Sequence, residues 1–238
     1  MKKFELTAEF VTNVFGEKLF RIKALVAFGN VEKGELGGFI EKEDNLSHDG
    51  NAWVYGDARV YGNAWVYGDA QVSGNAQVYG DALVYGDAQV YGDAQVSGDA
   101  QVYGDALVYG DAQVSGDAQV SGNAWVYGNA WVYGDAQVSG DARVYGDARV
   151  SGNAWVYGDA DYATVKGFGR FFRATTFFRC KDKILRVQCG CFYGDLEQFR
   201  EIVKKTHGDS KRAKEYLAIA DLMELHFSDE EENQEADE

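Results

Sequence analysis

From Gly50 to Tyr157 small, polar and aliphatic positions recur on a fixed period of six: Gly-(Asp/Asn)-Ala-x-Val-(Tyr/Ser), eighteen times without a break. Within a unit Ala and Val lie two apart, so in an extended segment both point to one face. The x residue and the Tyr or Ser after Val point to the other. Gly followed by Asp or Asn supplies a corner, since these residues best tolerate left-handed backbone. Three straight sides close a coil of 18 residues, and eighteen units make six coils. At about 4.8 Å per coil, the stack is roughly 29 Å long. So short a period is the signature of a parallel β-helix with a core of stacked Val and Ala, and it leaves no inserted loop in which to build an active site.

The pattern changes at both ends. Residues 1–37 lack the repeat and read as an N-terminal β cap, with short strands at Phe4-Glu-Leu-Thr, Glu9 to Val14 and Lys18 to Phe28 and a turn at Gly16. A degenerate first coil is expected from Gly38, aligning Gly38, Asp44 and Gly50 as corners and Ile40, Leu46 and Ala52 as interior positions. The β-helix is thus read over 38–162. Residues 163–228 read as a ββαα module. Thr175–Cys180 and Lys183–Cys189 read as a hairpin around Lys181-Asp182, and a two-residue turn at Asp182-Lys183 would pair Cys180 with Leu185. Asp195, with Gln198 three residues on, caps a helix bearing Leu196, Phe199, Ile202 and Val203. Gly208 ends it, and Ser210 opens a second helix striped by Ala213, Tyr216, Leu217, Ala220, Met223 and Phe227. Residues 229–238 hold seven acids in ten and are expected to be a disordered tail.

The pair Val54 to Ala58, repeated as Val60 to Ala64 and onward, resembles the interior pattern of the hexapeptide-repeat, left-handed β-helix superfamily. The resemblance implies a left-handed winding, which periodicity alone leaves open. The fold class is therefore mainly β: a three-sided left-handed parallel β-helix with an N-terminal β cap and a small C-terminal α+β module. Arg21-Ile-Lys-Ala-Leu, Gly37-Gly-Phe-Ile-Glu and Asn45-Leu-Ser ahead of the repeats resemble a group of bacteriophage and prophage hexapeptide proteins. The segment Cys189-Gly-Cys-Phe through Phe199, Val203, Thr206-His-Gly and Tyr216 is similar to a small domain common in phage genomes.

Charge is unevenly placed. Of the net −15, the repeat block contributes −9, residues 159–228 contribute +3, and the tail −7. Every third unit falls on one side, so corner acids stack into columns: Asp69, Asp87 and Asp105; Asp93 and Asp111; Asp81, Asp99, Asp117 and Asp135. The bland reading is that Asp and Asn are interchangeable turn residues. The sharper reading is a polyanion that competes for the Lys/Arg surface of a nucleic-acid-binding partner. Outward aromatics (Trp53, Tyr91, Tyr109, Trp125, Tyr127 and Tyr145) form a candidate interface, with ordinary cross-strand stacking as the structural alternative. Family resemblance favours a homotrimer through such a face, then a dimer.

Enzyme readings fare poorly. Hexapeptide acyltransferases use a histidine base, but His48, His207 and His226 all lie outside the eighteen units. The three-histidine zinc set of γ-class carbonic anhydrases is missing too. Cys180, Cys189, Cys191 and His207 are weak metal candidates, because C-x₈-C-x-C lacks a zinc-knuckle spacing. The stretch 166–186, seven basic residues against one acid with interleaved Phe, reads first as a hairpin with one buried and one solvated face, and direct nucleic-acid contact is not expected anywhere except through it. No secretory signal, no membrane-length apolar run and an odd cysteine count point to the cytoplasm, that of the host if the chain is phage-encoded. The sequence thus predicts a non-enzymatic protein without catalytic residues or cofactor, acting on a host protein. An acyltransferase and a self-assembling structural protein are the alternatives.

Overall fold

A computed structural model describes residues 2–228; the acidic tail 229–238 lies outside the described residues. The chain divides into two compact units, Met1–Ala160 and Asp161–Glu238.

In the first unit each x-Val pair forms a two-residue strand, from Trp53–Val54 to Trp155–Val156. Strands pair in parallel at a step of 18: Gln71 with Gln89, Gln89 with Leu107, and likewise down each side. The result is a three-sided parallel β-helix of one nine-stranded and two six-stranded sheets. Every Ala and Val of the units is buried. Each unit donates regularly to the coil after it, as from Gln89 N to Ala106 O (2.9 Å), Tyr91 N to Val108 O (3.0 Å) and Asp93 N to Gly110 O (2.9 Å). The corner glycines are required twice over. Gly86 has φ +72°, and a Cβ there would stand 2.9 Å from Gly104 N in the next coil.

The N-terminal segment forms β1 (Phe4–Thr12), β2 (Lys18–Ala24) and β3 (Leu36–Ile40). β1 and β2 are an antiparallel hairpin turning through Gly16, β2 pairs with β3, and β3 pairs in parallel with the strand Arg59–Val60. Here the expected phase is corrected. Ile40 lies opposite Val60 and Leu46 opposite Val66, a step of 20. Ile40 and Leu46 therefore fill Val sites, not Ala sites. Gly38 lies against Ala58 as the small interior residue, where a Cβ would sit 2.6 Å from Ala58 O, and is not a corner. Volume decides this: Ile and Leu match Val, and glycine fits where alanine otherwise stands.

A regular coil's carbonyls accept N–H groups from the coil before it, and the first regular coil has only a partial predecessor. Side chains supply donors there. Lys3 Nζ donates to Ala52 O (2.9 Å) and Gly50 O (3.3 Å), and Asn45 Nδ2 donates to Ala64 O (2.8 Å) and Gly62 O (3.1 Å). Arg21 Nη1 reaches Gly56 O at 3.3 Å. Main-chain donors at Phe39, Glu41 and Ser47 serve Ala58, Val60 and Val66.

The second unit has two more strands than the ββαα reading. β22 (Tyr162–Val165), β23 (Thr175–Arg179), β24 (Leu185–Cys189) and β25 (Phe192–Asp195), numbered after the eighteen helix strands, form an antiparallel sheet in that order. Two helices follow among the described residues, α1 (Leu196–His207) and α2 (Lys211–Phe227). Their ends are those the sequence marks. Asp195 accepts from Gln198 N in a reciprocal capping box, Gly208 closes α1 at φ 54°, and Ser210 accepts from Ala213 N. Leu196, Phe199, Val203, Ala213, Tyr216, Ile219, Ala220, Met223 and Phe227 pack on Phe177 and Val187. Ile202 is left at the surface and Ile219 takes an interior place. In the hairpin, Arg179 pairs with Leu185 and Thr175 with Cys189, one residue off the expected register, because the turn places Lys183 at φ +62°.

Candidate functional site

In most units the corner that the Gly-Asp or Gly-Asn pair turns is exposed. Asp69, Asp81, Asp87, Asp93, Asp99, Asp105, Asp111, Asp117 and Asp135 are all exposed, and none takes part in an ion pair among the described residues. The 18-residue step stacks them into the three predicted columns. Where Asn sits in a column it relieves the acid beyond it: Asn63 donates to Asp81 (3.1 Å), Asn75 to Asp93 (3.1 Å) and Asn123 to Asp141 (2.9 Å). From Asp81 to Asp117, among the described residues, such a donor reaches only Asp81 and Asp93. Seven successive corners are Asp, with no Lys or Arg in the units between them. Tyr91, Tyr109 and Tyr127 measure the coil spacing, since their stacked rings lie 4.9 Å apart. Three carboxylates per coil then place one negative charge about every 1.6 Å of axis, against about 1.7 Å for duplex DNA. The arginines of the units, Arg59, Arg143 and Arg149, lie toward the two ends of the repeat.

Outward aromatics form ladders down two faces. One runs Tyr91, Tyr109, Tyr127, Tyr145, and another Tyr67, Tyr85, Tyr103, with near-parallel rings 4.8–5.3 Å apart. Trp125 meets Tyr109 edge-on, and Arg143 lies over Trp125 at 4.9 Å. Burial between neighbours pushes phenols up: Tyr61 to about 12, with Tyr85 and Tyr109 also raised. Of the interface candidates, Tyr91, Tyr109, Trp125 and Tyr127 are half-buried in this stacking and Tyr145 is exposed. Trp53 must be withdrawn. It is fully buried, with Phe4 and Phe28 packed edge-on against its indole, because the N-terminal segment covers this outward position.

The histidines and cysteines sit apart. His48 accepts from Lys3 N (3.2 Å) and stacks on Phe4, and His207 lies against Tyr216. Cys189 lies beside Thr175, whose hydroxyl donates to its sulfur at 3.1 Å, while Cys180 lies just past the other end of β23. Burial pushes the Cys180 thiol up to about 11, so it is not primed as a thiolate. Among the described residues no three His, Cys, Asp or Glu side chains gather into a metal-holding group, and no helix is long and apolar enough to cross a membrane.

Residues 50–69, 70–86, 76–92, 100–116, 118–134, 136–148 and 142–158 match the family described as YdcK Beta solenoid repeat. This is a β-solenoid repeat protein. The matched stretches lie within the repeat block and its immediate end, which is where the parallel pairing is seen; the second unit lies beyond them. No curated protein matches the chain. The corner acids and their columns were legible in the sequence, and the ring spacing of the structure sets their axial density.

Proposed function

We propose that the protein is a non-enzymatic binding protein whose acidic β-helix occupies the nucleic-acid-binding surface of a host macromolecule. The charge density between Asp81 and Asp117 carries this reading. Carboxylates on a rigid frame, at nearly the axial density of duplex phosphates and without internal cations, suit a surface that evolved for a polyanion. The resemblance of the N-terminal motifs to phage and prophage hexapeptide proteins supports a host target in the cytoplasm, such as a nucleic-acid-handling or defence enzyme. A homo-oligomer, a trimer before a dimer, packed through the Trp125–Tyr145 face belongs to the same proposal.

The test is capture of a partner from host lysate at low and at high salt, followed by competition with duplex DNA. The control is a variant carrying Asn at positions 81, 87, 93, 99, 105, 111 and 117. Asn already occupies corners 51, 63, 75, 123, 129 and 153, so this variant keeps the fold. Loss of capture by the Asn variant, together with displacement by DNA, supports the reading. Undiminished capture by that variant, or no partner at either salt, overturns it.

A further inference from the structure

In the second unit, the connection from β22 to β23, residues 166–174, reads Lys-Gly-Phe-Gly-Arg-Phe-Phe-Arg-Ala. A solvated loop has no folding reason to carry three phenylalanines. The core of this unit is already supplied by Phe177 and Phe199. Yet Phe171 is 64% exposed, Phe172 65% and Phe168 38%. The Arg170 and Arg173 guanidiniums lie 5.3 and 5.0 Å from the Phe171 ring centre, and neither takes part in an ion pair among the described residues.

The loop is shaped, not slack. Gly167 and Gly169 have φ +96° and +72°, and Phe172, which is not a glycine, is held at φ +52°. Such a conformation persists where the surroundings impose it, and it often marks a functional site. The surroundings here are identifiable. Gly169 lies so close to the buried Tyr216 hydroxyl that no side chain would fit, and the Arg173 guanidinium lies against Gly190 in the turn between β24 and β25. The strain holds Phe172 in place beside Phe171, between two anchored points.

We infer that residues 166–174 form a binding element for single-stranded nucleic acid, with Phe171 and Phe172 stacking on bases and Arg170 and Arg173 meeting phosphates. Charge complementarity selects the occupant. Unpaired guanidiniums call for an anion, and exposed ring faces beside them call for flat apolar groups alternating with that anion. A duplex hides its bases and would engage only the arginines.

The experiment is fluorescence anisotropy of the full chain with a labelled twelve-nucleotide oligothymidylate, titrated from 50 to 300 mM salt. Binding that weakens with salt is expected. The double variant Phe171→Ala/Phe172→Ala should lose affinity at least about tenfold, given the usual worth of one stacked base. Phe171→Tyr/Phe172→Tyr should retain it. Arg170→Gln/Arg173→Gln should lower the slope of log affinity against log salt by about 1.4. All four side chains lie in an exposed loop, and an unchanged circular dichroism spectrum verifies that each variant is folded. No binding at 50 mM salt, equal binding by the Ala variant, or tighter binding of a duplex would overturn the proposal. Capture by phosphatidylserine vesicles without capture of the oligonucleotide would overturn it as well, assigning the loop to a membrane surface instead.

Discussion

The β-helix and the C-terminal unit reach buried cores by opposite routes. In the helix every interior contact repeats: Val90 meets Val72 and Val108, and the same step recurs throughout. In the second unit, Phe177 meets Phe199, Phe199 meets Tyr216, and no contact foretells another. A periodic core can be written down once its step is known, whereas an aperiodic one needs each pairing found separately. The same difference governs damage. A repeat stack distributes stability over neighbouring interfaces, while a small single core concentrates it.

The sharpest break is a pair of core substitutions measured on one protein. Val102→Asp places an unpaired carboxylate in the dry column, and Phe199→Ala empties the centre of the second core. Each should cost about 4 kcal/mol or more. Denaturant melts followed by hydrogen exchange should show the first exposing the coils and the second exposing α1 and α2. Loss of both regions in either variant would erase the contrast.

Gly104→Val comes next, at about 3 kcal/mol. It puts a branched side chain at φ +71° and within 3.1 Å of Gly122 N, and thermal melts would report it. Third is a pH effect specific to the first coil. Burial, partly offset by Asp49 and Asp69, holds the Lys3 amine at about 8 against an ordinary 10.5. Between those values the unfolded chain carries the proton and the folded chain does not, so stability rises with pH across that window. Relative to Lys3→Met, wild type should gain about 2 kcal/mol between pH 8 and 10, read by urea titration.

Asp195→Ala should cost about 1 kcal/mol by removing the α1 cap, confined to the second unit. Smallest is Tyr109→Ser. It removes one rung of a ladder whose equivalent positions already hold Ser at 73, and about 0.5–1 kcal/mol is expected from the lost ring contacts. A loss several times larger would mean the rungs do more than stack.

These regions also differ in how far they could be read beforehand. The three faces, the Val–Ala core and the corner columns follow from the period of six. The helix caps at Asp195, Gly208 and Ser210 follow from local chemistry. What escaped was non-local. Gly38 looked like one more corner glycine, and only the pairing of Ile40 with Val60 shows it as an interior spacer. Trp53 looked like its counterpart Trp125, and only Phe4 and Phe28, far back in the chain, bury it. β22 was masked by the fading repeat, and β25 is four residues long and runs directly into α1. In the candidate site, the identity of each acid and the approximate coil spacing were both legible, and what the structure adds is which acids an Asn side chain reaches.

The side-chain donors at Lys3, Arg21 and Asn45 have one more consequence. A solenoid whose leading face offered bare acceptors would be a template on which another copy could dock and continue the winding. Here Lys3, Arg21 and Asn45 already sit on acceptors that such a copy would need.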